Sequence, residues 1–147
     1  MALKDQITEA MKTALRAGDK PRLGVLRLAL AAIKQREVDE RIQLDDAQVL
    51  AVLEKMLKQR RDSLAQYQAA QRADLAAQEQ YEITELQRWL PAPLTAAELD
   101  ALIEAAITET GAGGARDMGR LMAALRPRVA GRADMAALSA RIKARLG

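Results

Sequence analysis

Histidine, cysteine and phenylalanine are all missing from this 147-residue chain, and its only aromatic side chains are Trp89, Tyr67 and Tyr81. Without histidine, the commonest general base and the commonest metal ligand are gone. Without cysteine there is no thiol nucleophile, no disulfide and no thiolate metal site, which fits a reducing compartment. Serine occurs only at Ser63 and Ser139, each inside a segment of helical spacing and not on the strained turn that exposes a serine nucleophile. A self-contained hydrolase is therefore not expected, and no catalytic residue, cofactor or metal ligand is assigned. No apolar run approaches the roughly 20 residues of a membrane span, and the opening MALKDQITEAMK is broken by charges where a signal peptide is apolar. The expectation is a soluble cytoplasmic protein without a membrane role.

What remains is 50% hydrophobic, dominated by alanine and leucine, a mixture that builds helices in preference to strands. Leu3, Ile7, Ala10, Met11, Ala14 and Leu15 recur at helical spacing, after which Gly18 reads as a stop and Asp19 as a cap, with Pro21 in the next first turn. Leu23, Leu26, Leu30 and Ile33 carry the second helix. Asp45 with Gln48 forms a candidate capping box ahead of Val49, Leu53, Met56, Leu57, Leu64 and Tyr67, a helix expected to reach about Ala70. Asp74 precedes a fourth helix, ended by LPAPLT, whose two prolines bias the chain away from helix. The expected organisation is an all-α, two-part protein: a four-helix domain over 1–90, a proline-containing linker at 91–94, and a three-helix module over 95–147.

In that module Thr95 and Glu98 form a second capping box, and Gly111 ends the helix they open. Asp117 is expected to cap a short helix carrying Met118, Leu121, Met122 and Leu125, closed by Pro127, and Asp134 to cap the last, with Met135, Leu138, Ile142 and Leu146. Either aspartate could instead serve a metal or acid/base role, but no third ligand or proton partner is evident. Gly114 to Gly119 has the glycine spacing of a phosphate-binding loop. Arg120 and Leu121 nevertheless stand where lysine and serine or threonine belong, and a helix precedes in place of a strand. The dinucleotide fingerprint fails too, since its third glycine would fall at Arg116. Gly113, Gly114, Gly119 and Gly131 thus read as turns or close-approach positions, against either a neighbouring helix or a ligand.

Charge is unevenly placed. Net charge is +1 over 1–90, −4 over 91–115 and +6 over 116–147. Arg116, Arg120, Arg126, Arg128, Arg132 and Lys143, together with Arg141 and Arg145, have only Asp117 and Asp134 as nearby acids, so an anionic polymer is a candidate partner. No aromatic residue lies among them, which points to phosphates and duplex shape in preference to stacked bases. A solvated surface is the alternative. A second pattern, Lys20, Arg27, Lys34 and Arg41 at seven-residue intervals, reads as a solvated helix face diluted by Glu37, Asp39 and Glu40. Gly24, inside the second helix, costs about 1 kcal/mol relative to alanine unless a close helix crossing uses it.

The stretches AMKTALRAGDKPRLGVLRLALAAIKQREVDER, LEKMLKQRRDS, RWLP, DMGRLM and GRADM together resemble the GatB/YqeY family, specifically its free-standing YqeY-like members, over almost the whole chain. The C-terminal third is also similar to the tail domain of the GatB component of the glutamine-dependent aspartyl/glutamyl-tRNA amidotransferase, through Met118, Gly119, Met122 and the turn Gly131, Ala133, Asp134. That tail belongs to the tRNA-recognising part of the enzyme, contacting the outer corner of the folded tRNA. The resemblance implies a four-helix amino half, a three-helix carboxyl half that binds tRNA, and Arg120 and Arg132 as contacts; Arg120 stands where lysine is frequent, exchanging a point charge for a fork of donors.

Family members are often grouped with carbon–nitrogen ligases that use glutamine as amido donor. This chain lacks the Ser-Ser-Lys arrangement of the amidase and the phosphorylating, metal-containing body of the GatB component, so whether it is an enzyme stays open. The expected function is a tRNA-binding accessory to tRNA-dependent amidation, with a protein partner in that process as a further expectation; the alternative is a helical protein–protein adaptor with neither nucleic-acid binding nor catalysis.

Overall fold

The computed structural model describes residues 1–129 and 132–147. Among them the chain is helical throughout, with no strand: α1 Leu3–Ala17, α2 Lys20–Glu40, α3 Asp46–Ala69, α4 Ala73–Gln87, α5 Ala96–Thr110, a 3-10 turn Ala115–Asp117, α6 Met118–Val129 and α7 Met135–Leu146. It divides into two compact units, Met1–Leu90 and Pro91–Gly147.

Local chemistry sets most boundaries of the first unit. Gly18 takes the left-handed conformation (φ 70°) that ends α1, and the Asp19 carboxylate accepts from the Arg22 amide at the start of α2. Asp45 accepts from the Gln48 amide at 2.8 Å while the Gln48 side chain accepts from the Asp45 amide at 3.0 Å, a reciprocal box that opens α3. Asp74 sits within the first turn of α4 and does not cap it, since the helix starts one residue earlier. Ile7, Leu26, Ile33, Val49, Leu53 and Leu86 are the fully buried centre of one core. Polar ties cross its seams: Lys4 Nζ to Glu37 at 2.8 Å, the Leu3 amide to Asp46 at 2.9 Å, and Arg22 Nε to Glu85 at 2.8 Å. Glu85 is almost wholly buried, so the Arg22 guanidinium supplies the countercharge that an enclosed carboxylate needs.

The second unit has its own core of Leu99, Ile103, Ala106, Leu121, Leu125, Val129, Leu138 and Ile142. Thr95 and Glu98 make both bonds of their capping box, Gly111 ends α5 at φ 69°, and Asp134 accepts from the amides of Ala136 and Ala137 at the start of α7. Residues 91–94 are folded into this unit: the Leu94 amide donates to the Arg132 carbonyl at 2.8 Å, and its side chain packs on the core.

Two expectations are corrected. Pro127 lies inside α6, which continues to Val129; the buried Val129 holds the last turn on the core despite the missing donor. Asp117 closes the 3-10 turn in place of capping α6, because its carboxylate accepts from the Gly113 amide at 2.9 Å, outside the helix.

Replacing Leu125, which is fully buried, by alanine is expected to cost about 2–5 kcal/mol, whereas Leu28→Ala, at a position 48% exposed, is expected to stay within about 0.5 kcal/mol. Urea unfolding followed by circular dichroism separates the two.

Candidate nucleic-acid interface

Helix α5 has four acids and no cation, and every one of the four meets an arginine of the C-terminal segment. Arg141 holds Asp100 in a two-point fork, 2.9 Å on each arm. Arg145 pairs with Glu104, Arg128 with Glu109, and Arg132 lies 3.8 Å from Glu98. Arg120 turns back on Asp117 at 3.2 Å. The expectation that Asp117 and Asp134 were the only acids at hand is therefore overturned: α5 packs against both α6 and α7 and brings its acids from far away in sequence. The spacing held the signal, since Asp100 and Glu104 are four residues apart, as are Arg141 and Arg145, so one helical ladder answers the other in the same sense.

Three of the candidate cations, Arg116, Arg126 and Lys143, have no ion-pair partner among the described residues, and all three are exposed. Along α6 the exposed positions Gly119, Arg120, Ala123, Arg126 and Pro127 recur at helical spacing. A Cβ added at Gly113, Gly114 or Gly119 would meet nothing within 4 Å, so packing within the unit does not require glycine there; at these points the backbone lies open to an approaching molecule. Gly131 lies outside the described residues.

Arg132 has a different task. Its Nε donates to the Ala92 carbonyl at 3.1 Å and its own carbonyl accepts from Leu94, so one residue clips the proline-bearing segment to the unit from both ends. Its half-exposed head is committed to that clip and to Glu98, unlike the free heads of Arg116 and Arg126.

The ion pairs leave a titration signature. The Arg141 fork holds the Asp100 carboxyl below its ordinary value, Arg145 does the same for Glu104, and the Gly113 amide, assisted by Arg120, does so for Asp117. Glu98 is lowered first by Thr95 in its capping box and less by Arg132. Glu82 in the first unit behaves oppositely. Burial raises it, opposed by Arg60 at 3.1 Å and reinforced by Glu79, which shares the same guanidinium at 4.0 Å. Among the described residues no group of three or more acidic side chains could hold a metal ion.

The seven-residue series lies, as expected, on a solvated face, with Lys20, Arg27, Lys34 and Arg41 all exposed. α2 is continuous from Lys20 to Glu40, with Arg41 as its C-cap. Glu37 is engaged by Lys4, Glu40 by Arg36, and Asp39 accepts from Gln35. Lys20, Arg27, Lys34 and Arg41 make no ion pair with any described residue, although Lys34 helps hold the Glu37 carboxyl below its ordinary value.

The sequence model of the YqeY-like protein family matches residues 4–146. The chain belongs to that family. Among curated proteins it is similar to altered inheritance of mitochondria protein 41, mitochondrial, of the yeast Vanderwaltozyma polyspora, 30% identical over 97 residues, covering 64% of this chain and 52% of the relative. The protein of the same name from Kluyveromyces lactis is 31% identical over 106 residues, covering 70% of this chain and 57% of the relative. The chain thus spans about half the length of these relatives. No described helix of this family member is long and apolar enough to cross a membrane.

Two outcomes follow. Arg132→Ala removes the side-chain half of the clip and is expected to destabilise the chain by about 1 kcal/mol in chemical denaturation, whereas Arg126→Ala is expected to be neutral. Because Asp100, Glu104, Glu98 and Asp117 have folded values below their unfolded ones, their contribution is present above the ordinary carboxyl range and disappears as pH falls through the depressed values. The thermal midpoint is therefore expected to drop on acidification, and Asp100→Asn with Glu104→Gln to flatten that drop.

Proposed function

We propose that the chain is an RNA-binding accessory of tRNA-dependent amidation whose second unit holds tRNA by its phosphates. The observation that carries this reading is the exposed face of α6 together with the turn that leads into it. Arg116 and Arg126 have unshared guanidinium heads there, Arg120 is held only by an exposed i,i+3 pair, and Gly119 and Ala123 leave the backbone low enough for a phosphate to come close. Lys143 adds a free cation on α7. The similarity of DMGRLM and of the Ala133–Asp134 turn to the tail of the amidotransferase GatB component supports the same surface. Arg128 contributes by exchanging its exposed partner Glu109 for a phosphate, since such pairs are worth only about 0–1 kcal/mol; Arg132 stays in its structural role.

The chemistry on this reading is positioning. Guanidinium groups displace counterions from the folded RNA, and shape, not base identity, sets the fit because no aromatic side chain lies in this unit. The amide transfer itself belongs to a protein partner that supplies the amidase and phosphorylating centres. The compartment is one that contains tRNA, the cytoplasm or, as the names of the two yeast proteins state for them, the mitochondrion.

Titration of folded tRNA into the chain across a salt series is expected to give a steep loss of affinity with salt. Changing Arg116, Arg126 and Lys143 to glutamate is expected to weaken binding by at least about tenfold and to flatten the slope. Equal binding by the two proteins would overturn the reading. Arg132 is left unchanged so that folding is not confounded with contact.

A further inference from the structure

Helix α2 presents two faces. One buries Val25, Leu26, Ala29 and Ile33 in the first core. The other is exposed along its length through Gly24, Leu28, Ala31, Gln35 and Val38, and the exposed Ile42 follows just beyond the helix end. Within the helix, Gly24 to Val38 step by four, three, four and three residues, the alternation that keeps one seam of a helix facing a partner helix. In heptad letters, with Leu28 and Gln35 at a and Gly24, Ala31 and Val38 at d, the cations Lys20, Arg27 and Lys34 fall at g, and Arg41, the left-handed C-cap (φ 56°), adds a fourth cation just past the helix end. Leu28 is 48% exposed, Val38 59% and Ile42 39%. Within the first unit, Met1–Leu90, no residue encloses this seam or forms an ion pair with its cations.

We infer that this face of α2 docks an amphipathic helix of a protein partner, one with apolar residues on its own seam and aspartate or glutamate on the flank opposite Lys20, Arg27, Lys34 and Arg41. Flanking charges of this kind set partner choice and orientation in paired helices. Gly24 and Ala31 let the two backbones come close, while Leu28 and Val38 supply apolar contact. At the end of the seam Lys34, Val38, Arg41 and Ile42, with Glu37 and Gln43, line a shallow concavity of about 310 Å³. Glu37 is already held there by Lys4 and by the Leu44 amide and feels Lys34 only at longer range, so neither Lys34 nor Arg41 is tied by an ion pair, and an apolar residue flanked by an acid fits the space.

Charge and spacing disfavour the two nearest alternatives. A second copy of the chain pairing antiparallel on this seam would set g against g, cation against cation. Pairing in parallel would oppose the cations to the e positions Val25, Ala32 and Asp39, with one acid among them and Val25 already buried. A nucleic acid would find the cations about 10 Å apart along the helix, separated by leucine and valine that phosphates cannot use, and no aromatic residue on α2 on which a base could stack.

The inference is independent of the tRNA reading, because it lies in the other unit. It is tested with the full chain and two labelled probes, peptides of about four heptads with leucine at a and d and either glutamate or lysine at e and g. The acidic peptide is expected to bind at least about tenfold more tightly than the basic one at low ionic strength, with the gap closing in high salt. Arg27→Glu with Lys34→Glu is expected to reverse the preference, and Leu28→Gln with Val38→Gln to weaken the acidic peptide while leaving the helical content intact. Equal affinity for the two peptides, or a charge variant that loses the acidic peptide without gaining the basic one, would overturn the inference. So would a loss of tRNA binding by Arg27→Glu with Lys34→Glu as large as that caused by the changes at Arg116, Arg126 and Lys143.

Discussion

The ion pairs that radiate from α5 govern what the second unit presents to its surroundings. Glu98, Asp100, Glu104 and Glu109 each draw in one arginine, so a segment that is strongly basic along the chain becomes only modestly basic in space. The Asp100–Arg141 and Glu104–Arg145 pairs lie in register where α5 meets α7, and the cations left without an ion pair among the described residues are Arg116 in the turn before α6, Arg126 on α6 and Lys143 on α7. Since exposed carboxylate–guanidinium pairs are weak, a phosphate can replace a carboxylate at little cost, and the unit holds a reserve of cations beyond those visible as free.

Elements governed by near neighbours were legible in the sequence. The boxes at Asp45 and Thr95, the stops at Gly18 and Gly111, and the cap at Asp134 all depend on atoms within about one helical turn, so residue order alone determines them. Pro127 escaped because tertiary burial of Val129 outweighs the local loss of a donor. Asp117 escaped because its carboxylate had two amide sources within reach, and the turn at Gly113 took it. The fate of the arginines was less accessible. Arg141 and Asp100 lie 41 residues apart, and only the packing of α5 on α7 brings them together. For α2 the seven-residue interval was visible, but whether its cations were spent on neighbours depended on where Glu37, Asp39 and Glu40 turned.

The two units use charge differently. In the first, the enclosed carboxylates Glu37 and Glu85 are tied to Lys4 and Arg22 across helix seams, so charge there fixes how helices meet. In the second, the pairs lie on the surface and regulate how much cation is left over. The acidic helix α5 and the basic helix α2 thus occupy opposite situations, the one saturated by its own unit and the other left unsatisfied.

Gly24 gives this last point a dynamic meaning. It stands in the interior of a 21-residue helix, on the exposed side, with no neighbour that a methyl group would strike. A residue without a side chain leaves the adjacent amides and carbonyls uncovered and lowers the barrier to opening the ladder locally. Amide hydrogens around this point are therefore expected to exchange with solvent sooner than those near the buried Ile33. A molecule laid along this side would register first as a slowing of that exchange.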